Sequence, residues 1–245
     1  MSPPNLVASD PTRQVVKDYV YISARKVEKF YAQIPKPLVS RIVAKLTLDL
    51  QPLKLELAER PVERNLYVKL AIVLRQIEKE TGVGTIDKPT KFFAGELPLH
   101  WGPYGDYYGK PDLIFFGGFT RSTVLGLGGS LEHVIGAKPK AKMDSRSDTP
   151  WLVDALLRHE RGRRLWPNAQ NSRFRQLDRE MHLQAVEVAV RETEKRRKLA
   201  ERMEFVAVRL AKDRVTGEWN QPWAKKEHKT QKWVLLGSPI YVARV

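Results

Sequence analysis

The spacing of hydrophobic residues changes several times along the chain, and each change predicts an element. Tyr19-Val20-Tyr21-Ile22-Ser23 is aromatic and β-branched, the composition of a buried strand. Ser23 is placed to cap a helix carrying Val27, Phe30, Tyr31 and Ile34, with Pro35 as its stop. Pro37 restarts helical sequence with Ile42, Val43 and Leu46 on one side. The period then falls to two: Leu53, Leu55 and Leu57 alternate with Lys54 and Glu56, the pattern of a half-buried strand. Strand, helix and strand together predict a βαβ unit, right-handed if its strands are parallel neighbours. Pro61 opens the clearest helix of the first half, in which Leu66, Leu70, Val73, Leu74 and Ile77 recur at helical spacing until Gly82.

Twelve of the fifteen glycines fall between Gly82 and Gly136, where they break up short aromatic and β-branched runs. Glycine inside strand-forming sequence marks turns, bulges or close backbone approach, so this zone predicts an antiparallel meander of three or four short strands. Lys138 to Ser147 reads as an exposed basic loop, and Asp148-Thr149-Pro150 as the start of a short helix. After a basic linker, Arg158 to Asn171, a long helix is predicted over about Ser172 to Met203 from the stripe Phe174, Leu177, Met181, Ala185 and Val188. Strand pattern returns in Phe205–Leu210 and again in Trp233–Ala243, with the polar, lysine-bearing segment Gly217–Lys232 between.

The expected fold is α+β: a mixed or antiparallel sheet with a glycine-rich meander, flanking helices and a long basic helical insertion at residues 137–203. Residues 1–15 read as a flexible lead-in and 16–245 as a single domain.

Composition narrows the classes. A hydrophobic fraction of 42% in 245 residues supplies a sizeable core. No apolar run approaches the roughly 18 to 20 residues that span a bilayer. Met1 to Thr12 is polar and lacks the plan of a secretory signal, so a cytoplasmic protein is expected. The absence of cysteine excludes disulfides, thiolate metal sites and a cysteine nucleophile. Net charge is +15, with 18 basic and 14 acidic side chains before Gly136 and 25 and 14 from there on. A basic half of that kind points to a phosphate-bearing ligand, nucleic acid or an acidic protein partner.

Three strings carry a resemblance: Tyr19-Val20-Tyr21-Ile22-Ser23 with Lys26-Val27; Phe93 to Gly105 with Gly117-Gly118 and Gly126-Leu127-Gly128-Gly129-Ser130; and Leu236-Gly237-Ser238-Pro239-Ile240-Tyr241-Val242-Ala243. Together they resemble a family of uncharacterised bacterial proteins, frequent in actinobacteria, that keep these strings in this order. The likeness spans about residues 19–160 and 203–243. It implies one interleaved domain, makes the long basic helix an elaboration, and brings no activity and no catalytic residue.

The candidate ligand site is Arg121, Ser122, Thr123, Gly126, Gly128, Gly129 and Ser130. A glycine turn between a strand and a short helix can cradle a phosphate with its N–H groups, and Arg121, Ser122 and Thr123 add donors. The string is neither a Walker A loop nor the full dinucleotide pattern, and a plain glycine-tight strand turn accounts for it as well. The five histidines, His100, His133, His159, His182 and His228, show no metal-binding spacing, so neither metal nor cofactor is expected. His133 with Ser130 and Asp112 or Asp106 could make a hydrolytic set, a constellation that can be drawn in most proteins of this size. Ser238 lacks the Gly-x-Ser-x-Gly pattern of a nucleophile elbow, and Pro239 after it suits a bend or bulge. Basic clusters lie at Arg161, Arg163 and Arg164 and at Lys195, Arg196, Arg197 and Lys198, with Trp166, Trp219 and Trp223 available for stacking.

These features lead to a non-catalytic intracellular binding or signalling domain that takes a small anionic, nucleotide-like ligand on its glycine-rich sheet. A nucleic-acid-binding protein using the basic C-terminal half is the alternative, and a hydrolase around His133 a second.

Overall fold

The computed structural model describes residues 17–49, 65–105, 111–137, 199–214 and 233–245, with seven of the residues between 186 and 194. Three helices, α1 (Ala24–Tyr31), α2 (Lys36–Asp49) and α3 (Leu66–Thr81), come early in the chain. Among the described residues, seven strands make up most of the rest: β1 (Asp18–Ile22), β2 (Gly84–Thr85), β3 (Phe92–Gly105), β4 (Pro111–Phe119), β5 (Thr123–Ser130), β6 (Glu201–Arg214) and β7 (Trp233–Arg244).

The meander is present as β3–β4–β5, antiparallel throughout. β7 then joins β5 in parallel, and β6 pairs antiparallel with both β7 and β3. That last pairing closes five strands into a barrel. The order, a meander followed by a parallel partner and closure through the remaining strand, is the Greek-key order of an OB-type barrel. β1 lies against the C-terminal half of β7, and the two-residue β2 runs parallel to β3.

The α+β expectation is thereby corrected to a mostly β barrel with few short helices. The C-terminal strands do not complete an open sheet; they close one. The long helical insertion is also corrected, because the chain has left the helix by Leu199 and is strand from Glu201, where a helix to Met203 was expected. Met203 is fully buried among the barrel residues. Apolar residues at 199 and 203 satisfy helical spacing, but the β3 and β7 ladders on either side of β6 decide the conformation. The same ladders carry β6 into charged sequence at both ends, from Glu201 to Arg214, beyond the predicted Phe205–Leu210. Residues 186–194 are helical where described. The predicted strand at Leu53–Leu57, Pro61, the lead-in and residues 138–185 lie outside the described residues.

Period-2 alternation sends one face of every barrel strand inward, where Phe93, Leu99, Phe116, Leu127, Phe205 and Leu235 are fully buried. Burying each such side chain contributes about 1.5–3 kcal/mol. Outside, α1 and α3 place Val27, Leu70 and Val73 over Phe92, Val206 and Tyr241. The helical segment at 186–194 covers a second outer face through Val186 and Val190, against Phe115, Val124 and Leu236. A bulge at Ile240, between the Ala207↔Pro239 and Val206↔Tyr241 pairs, lets both Leu235 and Val242 join the interior cluster. Pro239 sits between the last β5 partner, at Gly237, and the first β1 partner, at Tyr241. The bulge thus falls one residue past Gly237-Ser238-Pro239, and in an interior strand.

Helix ends follow partly from sequence. Gly82 closes α3 with φ of 65°, a left-handed conformation that suits glycine. Asn65 opens it, its side chain accepting hydrogen bonds from the N–H groups of Tyr67 at 3.0 Å and Val68 at 3.4 Å. Ser23 is the N-cap residue of α1, but its side chain makes no capping hydrogen bond.

Candidate functional site

Gly126-Leu127-Gly128-Gly129-Ser130 is not a turn. It forms the greater part of β5, every residue of which is buried. Gly126 is paired on both sides, with Gly117 of β4 and Leu236 of β7, so its backbone belongs to a ladder rather than to a phosphate cradle. The glycines admit neighbouring side chains instead. A Cβ on Gly126 would lie 2.6 Å from Val186 Cγ1 and 2.8 Å from Phe115 Cζ, and one on Gly117 would lie 3.1 Å from the Val190 Cα.

Arg121 and Ser122 form the exposed tip between β4 and β5. The hydroxyls beside that tip have an internal partner: Ser122 Oγ, Thr123 Oγ1 and Thr120 Oγ1 donate to Asp87 Oδ1 at 2.5, 2.9 and 3.1 Å. The Ser122 bond is the main cause holding the Asp87 carboxyl below its ordinary value; Thr123, Thr120 and the Lys212 charge act in the same direction and burial opposes them. Two of the donors expected to meet a ligand, Ser122 and Thr123, thus hold a carboxylate of the chain itself.

The same end of the barrel gathers cations. Lys212 Nζ donates to the Asp87 carbonyl at 2.6 Å, and Arg209 Nη1 to the Pro89 carbonyl at 3.0 Å. Lys212 Nζ and Arg214 Cζ each lie 4.9 Å from the centre of the Trp233 ring. Trp233 is tied to the hairpin tip by its backbone N–H, which donates to the Ser122 carbonyl at 2.9 Å. Burial lowers the Lys212 pKa, Arg209 adds to that, and Asp87 opposes it. Residues 215–232, which join β6 to β7 from this rim, lie outside the described residues; their sequence holds Trp219, Trp223, Lys225, Lys226, Lys229 and Lys232.

His133 stands at the end of a single 3₁₀ turn, Leu131–His133, that follows β5. Its ring meets Tyr21 edge-on at 6.0 Å between centroids, and its Nε2 is 3.6 Å from Glu132 Oε1. Burial pulls the His133 pKa down; Glu132 opposes, while Lys26 and Arg25 reinforce the shift. Asp106 and the Asp112 side chain lie outside the described residues, as do His159, His182 and His228. His100 is half-buried in β3, and the neighbouring Trp101 packs against the barrel core. Ser238 is buried, with Oγ donating to the Gly128 carbonyl at 3.2 Å, which makes it a strand residue rather than an exposed nucleophile. Arg161, Arg163, Arg164 and Lys195 to Lys198 are outside the described residues.

Among the described residues no group of three or more His, Asp or Glu side chains is placed to hold a metal ion. Among them, too, no helix is long and apolar enough to cross a membrane. Sequence reasoning missed the rim of Asp87, Arg209, Lys212, Arg214 and Trp233. One signal was available: three hydroxyl residues at a hairpin, Thr120, Ser122 and Thr123, call for a common acceptor.

The model of a protein family described as a family of unknown function (DUF7019) matches residues 17–245. No curated protein and no solved structure matches the chain.

Proposed function

The chain belongs to this family of unknown function, DUF7019, and from that premise we propose that it is a non-catalytic binding domain for a small phosphate-bearing ligand, nucleotide-like in class, taken at the basic rim of the barrel. The observation that supports this is Trp233, over whose ring the cations of Lys212 and Arg214 are held, at the edge where Arg121 and Arg209 also stand. Cations held on an aromatic ring are fixed counter-charges for phosphate, with an apolar border for the rest of the ligand. The buried glycines of β5 have no part in this reading, and of the residues first singled out only the Arg121 tip remains. We also read the chain as bacterial, from the three sequence strings.

Isothermal titration against mono-, di- and cyclic nucleotides tests the proposal. Saturable heat with at least one of them is expected, weakened about tenfold in a Lys212→Ala/Arg214→Ala variant. No heat across the panel would end it.

Nucleic acid is the second reading, supported by the strand order. OB-type barrels take oligonucleotides on the outer face of their second and third strands. Here the equivalent face, on β4 and β5, is covered by Val186 and Val190. A single strand would therefore run along the rim, with Trp233 for stacking. A salt series separates the two readings: oligonucleotide affinity should fall by orders of magnitude between about 50 and 200 mM salt, a single nucleotide's far less.

A further inference from the structure

Three hydroxyl groups at the basic rim converge on one oxygen atom. Thr120, Ser122 and Thr123, at the turn between β4 and β5, donate to Asp87 Oδ1 at 3.1, 2.5 and 2.9 Å. Thr120 Oγ1 also accepts from the N–H groups of Ser122 at 3.2 Å and Thr123 at 2.9 Å, so the backbone of the tip orients it. Thr123 is fully buried, and its hydroxyl requires an acceptor. An anionic oxygen with several donors on it is a coordination that phosphate oxygens share with carboxylates.

Asp87 itself is exposed, but the loop that carries it is seated. The neighbouring Ile86 is buried in the barrel core, where Gly95 makes room for its side chain. Lys212 Nζ holds the Asp87 carbonyl at 2.6 Å, and Arg209 Nη1 holds the Pro89 carbonyl at 3.0 Å. With its backbone held, the Asp87 carboxyl can still swing into water about its own side-chain bonds. Lys212 also reaches Trp233, its Nζ lying 4.9 Å from the ring centre. The hydroxyl set and the rim cations are therefore one continuous surface.

We propose that Thr120, Ser122 and Thr123 form the phosphate subsite of the rim, and that Asp87 occupies it as a built-in competitor which a phosphate-bearing ligand displaces. The inference rests on the rim reading and deepens it by naming what the ligand must dislodge. A phosphate oxygen accepts the same three hydroxyl bonds that the carboxylate gives up, and its larger charge draws more on Lys212, Arg209 and Arg214. The bonds that hold the Asp87 carboxyl below its ordinary value are the ones the phosphate inherits. A ligand without an anionic oxygen has nothing to offer in exchange, so the competitor sets specificity as well as affinity.

The experiment is isothermal titration of the full chain with inorganic pyrophosphate and with ADP, on the unaltered protein and on Asp87→Ala. The variant should bind at least one of these probes about five- to tenfold more tightly. Loss of a nearby negative charge would strengthen binding by itself, so Ser122→Ala is added to Asp87→Ala. The double variant should lose most of the gain, because the vacated hydroxyls are what the phosphate enters. In ¹³C NMR the Asp87 carboxyl resonance of the unaltered protein should move on saturation, as the group passes from hydroxyl donors to water. Should Asp87→Ala not fold, Asp87→Asn carries the test with the same expected direction. Equal or weaker binding by the Asp87 variant, a gain that survives Ser122→Ala in full, or an unmoved carboxyl resonance would overturn this proposal and leave the rim reading standing. No binding of either probe by either chain would end both.

Discussion

Gly117 of β4 and Gly126 of β5 are register partners, and Val190 and Val186 of the neighbouring helical segment rest on them. Two adjacent positions without a Cβ make a flat patch on an otherwise side-chain-covered barrel wall. A helix approaches a sheet this closely only where the sheet offers no side chains. The glycines that looked like a ligand cradle thus serve packing.

Gly126→Ala should therefore destabilise the protein by about 1–3 kcal/mol, because its methyl would stand 2.6 Å from Val186 Cγ1. Val186→Ala in the same chain should recover part of the loss. Denaturant midpoints of the two single variants and the double variant check this; simple additivity would mean that the two positions do not touch.

Tyr104 fastens the same helical segment from β3. Its hydroxyl donates to the Ala189 carbonyl at 3.0 Å and lies 2.5 Å from Thr193 Oγ1, which itself donates to Ala189 at 2.6 Å. Tyr104→Phe should cost about 1–2 kcal/mol. Amide exchange should quicken in residues 186–194 more than in the barrel. Uniform loss of protection would contradict a local anchor.

Asp87 gives an acid signature. Its folded pKa lies below the ordinary 3.8, so its hydrogen bonds stabilise the fold fully above that value and the contribution disappears as pH falls through the folded pKa. The side chain is exposed, and solvent screening keeps the effect to about 1 kcal/mol or less. Asp87→Asn should flatten this part of the stability-against-pH curve, read from urea midpoints below pH 5. A curve that keeps the slope of the unaltered protein would assign it to other carboxylates.

Lys26 gives the opposite signature at alkaline pH. Its folded pKa of about 8 is below the unfolded 10.5, so between those values the unfolded chain binds the extra proton and stability rises with pH. The gain attributable to Lys26 should be about 1–3 kcal/mol by pH 10, beyond which the buried tyrosines, whose pKa values are raised, oppose it. Lys26→Met should remove this rise, measured as the difference between the two chains in phosphate-free buffer. Parallel curves would rule it out.

Several elements were legible in the chain. Tyr19–Ile22, the α1 and α3 stripes with Gly82 as stop, the β3–β5 meander and the Trp233–Ala243 strand were all marked by local periodicity and local breakers. The apolar spacing that suggested helix through Leu199 and Met203 failed because Leu199 is left exposed ahead of β6 while the ladders to β3 and β7 bury Met203. The rim was hidden for another reason: Asp87, Thr120–Thr123, Arg209–Arg214 and Trp233 are brought together only by pairings between distant strands.

The sequence by itself determined the apolar faces of β1, α1, α3 and the meander and where backbones would come close, because side-chain chemistry and a missing Cβ act wherever the chain goes. Only the tertiary structure decided what each buried face would meet. The β3–β6 pairing turned an expected sheet into a closed barrel, and the approach of Val186 and Val190 made Gly126, expected in a ligand turn, and its partner Gly117 a seat for a helix. Such choices depend on partners remote in sequence, and local periodicity carries no record of them.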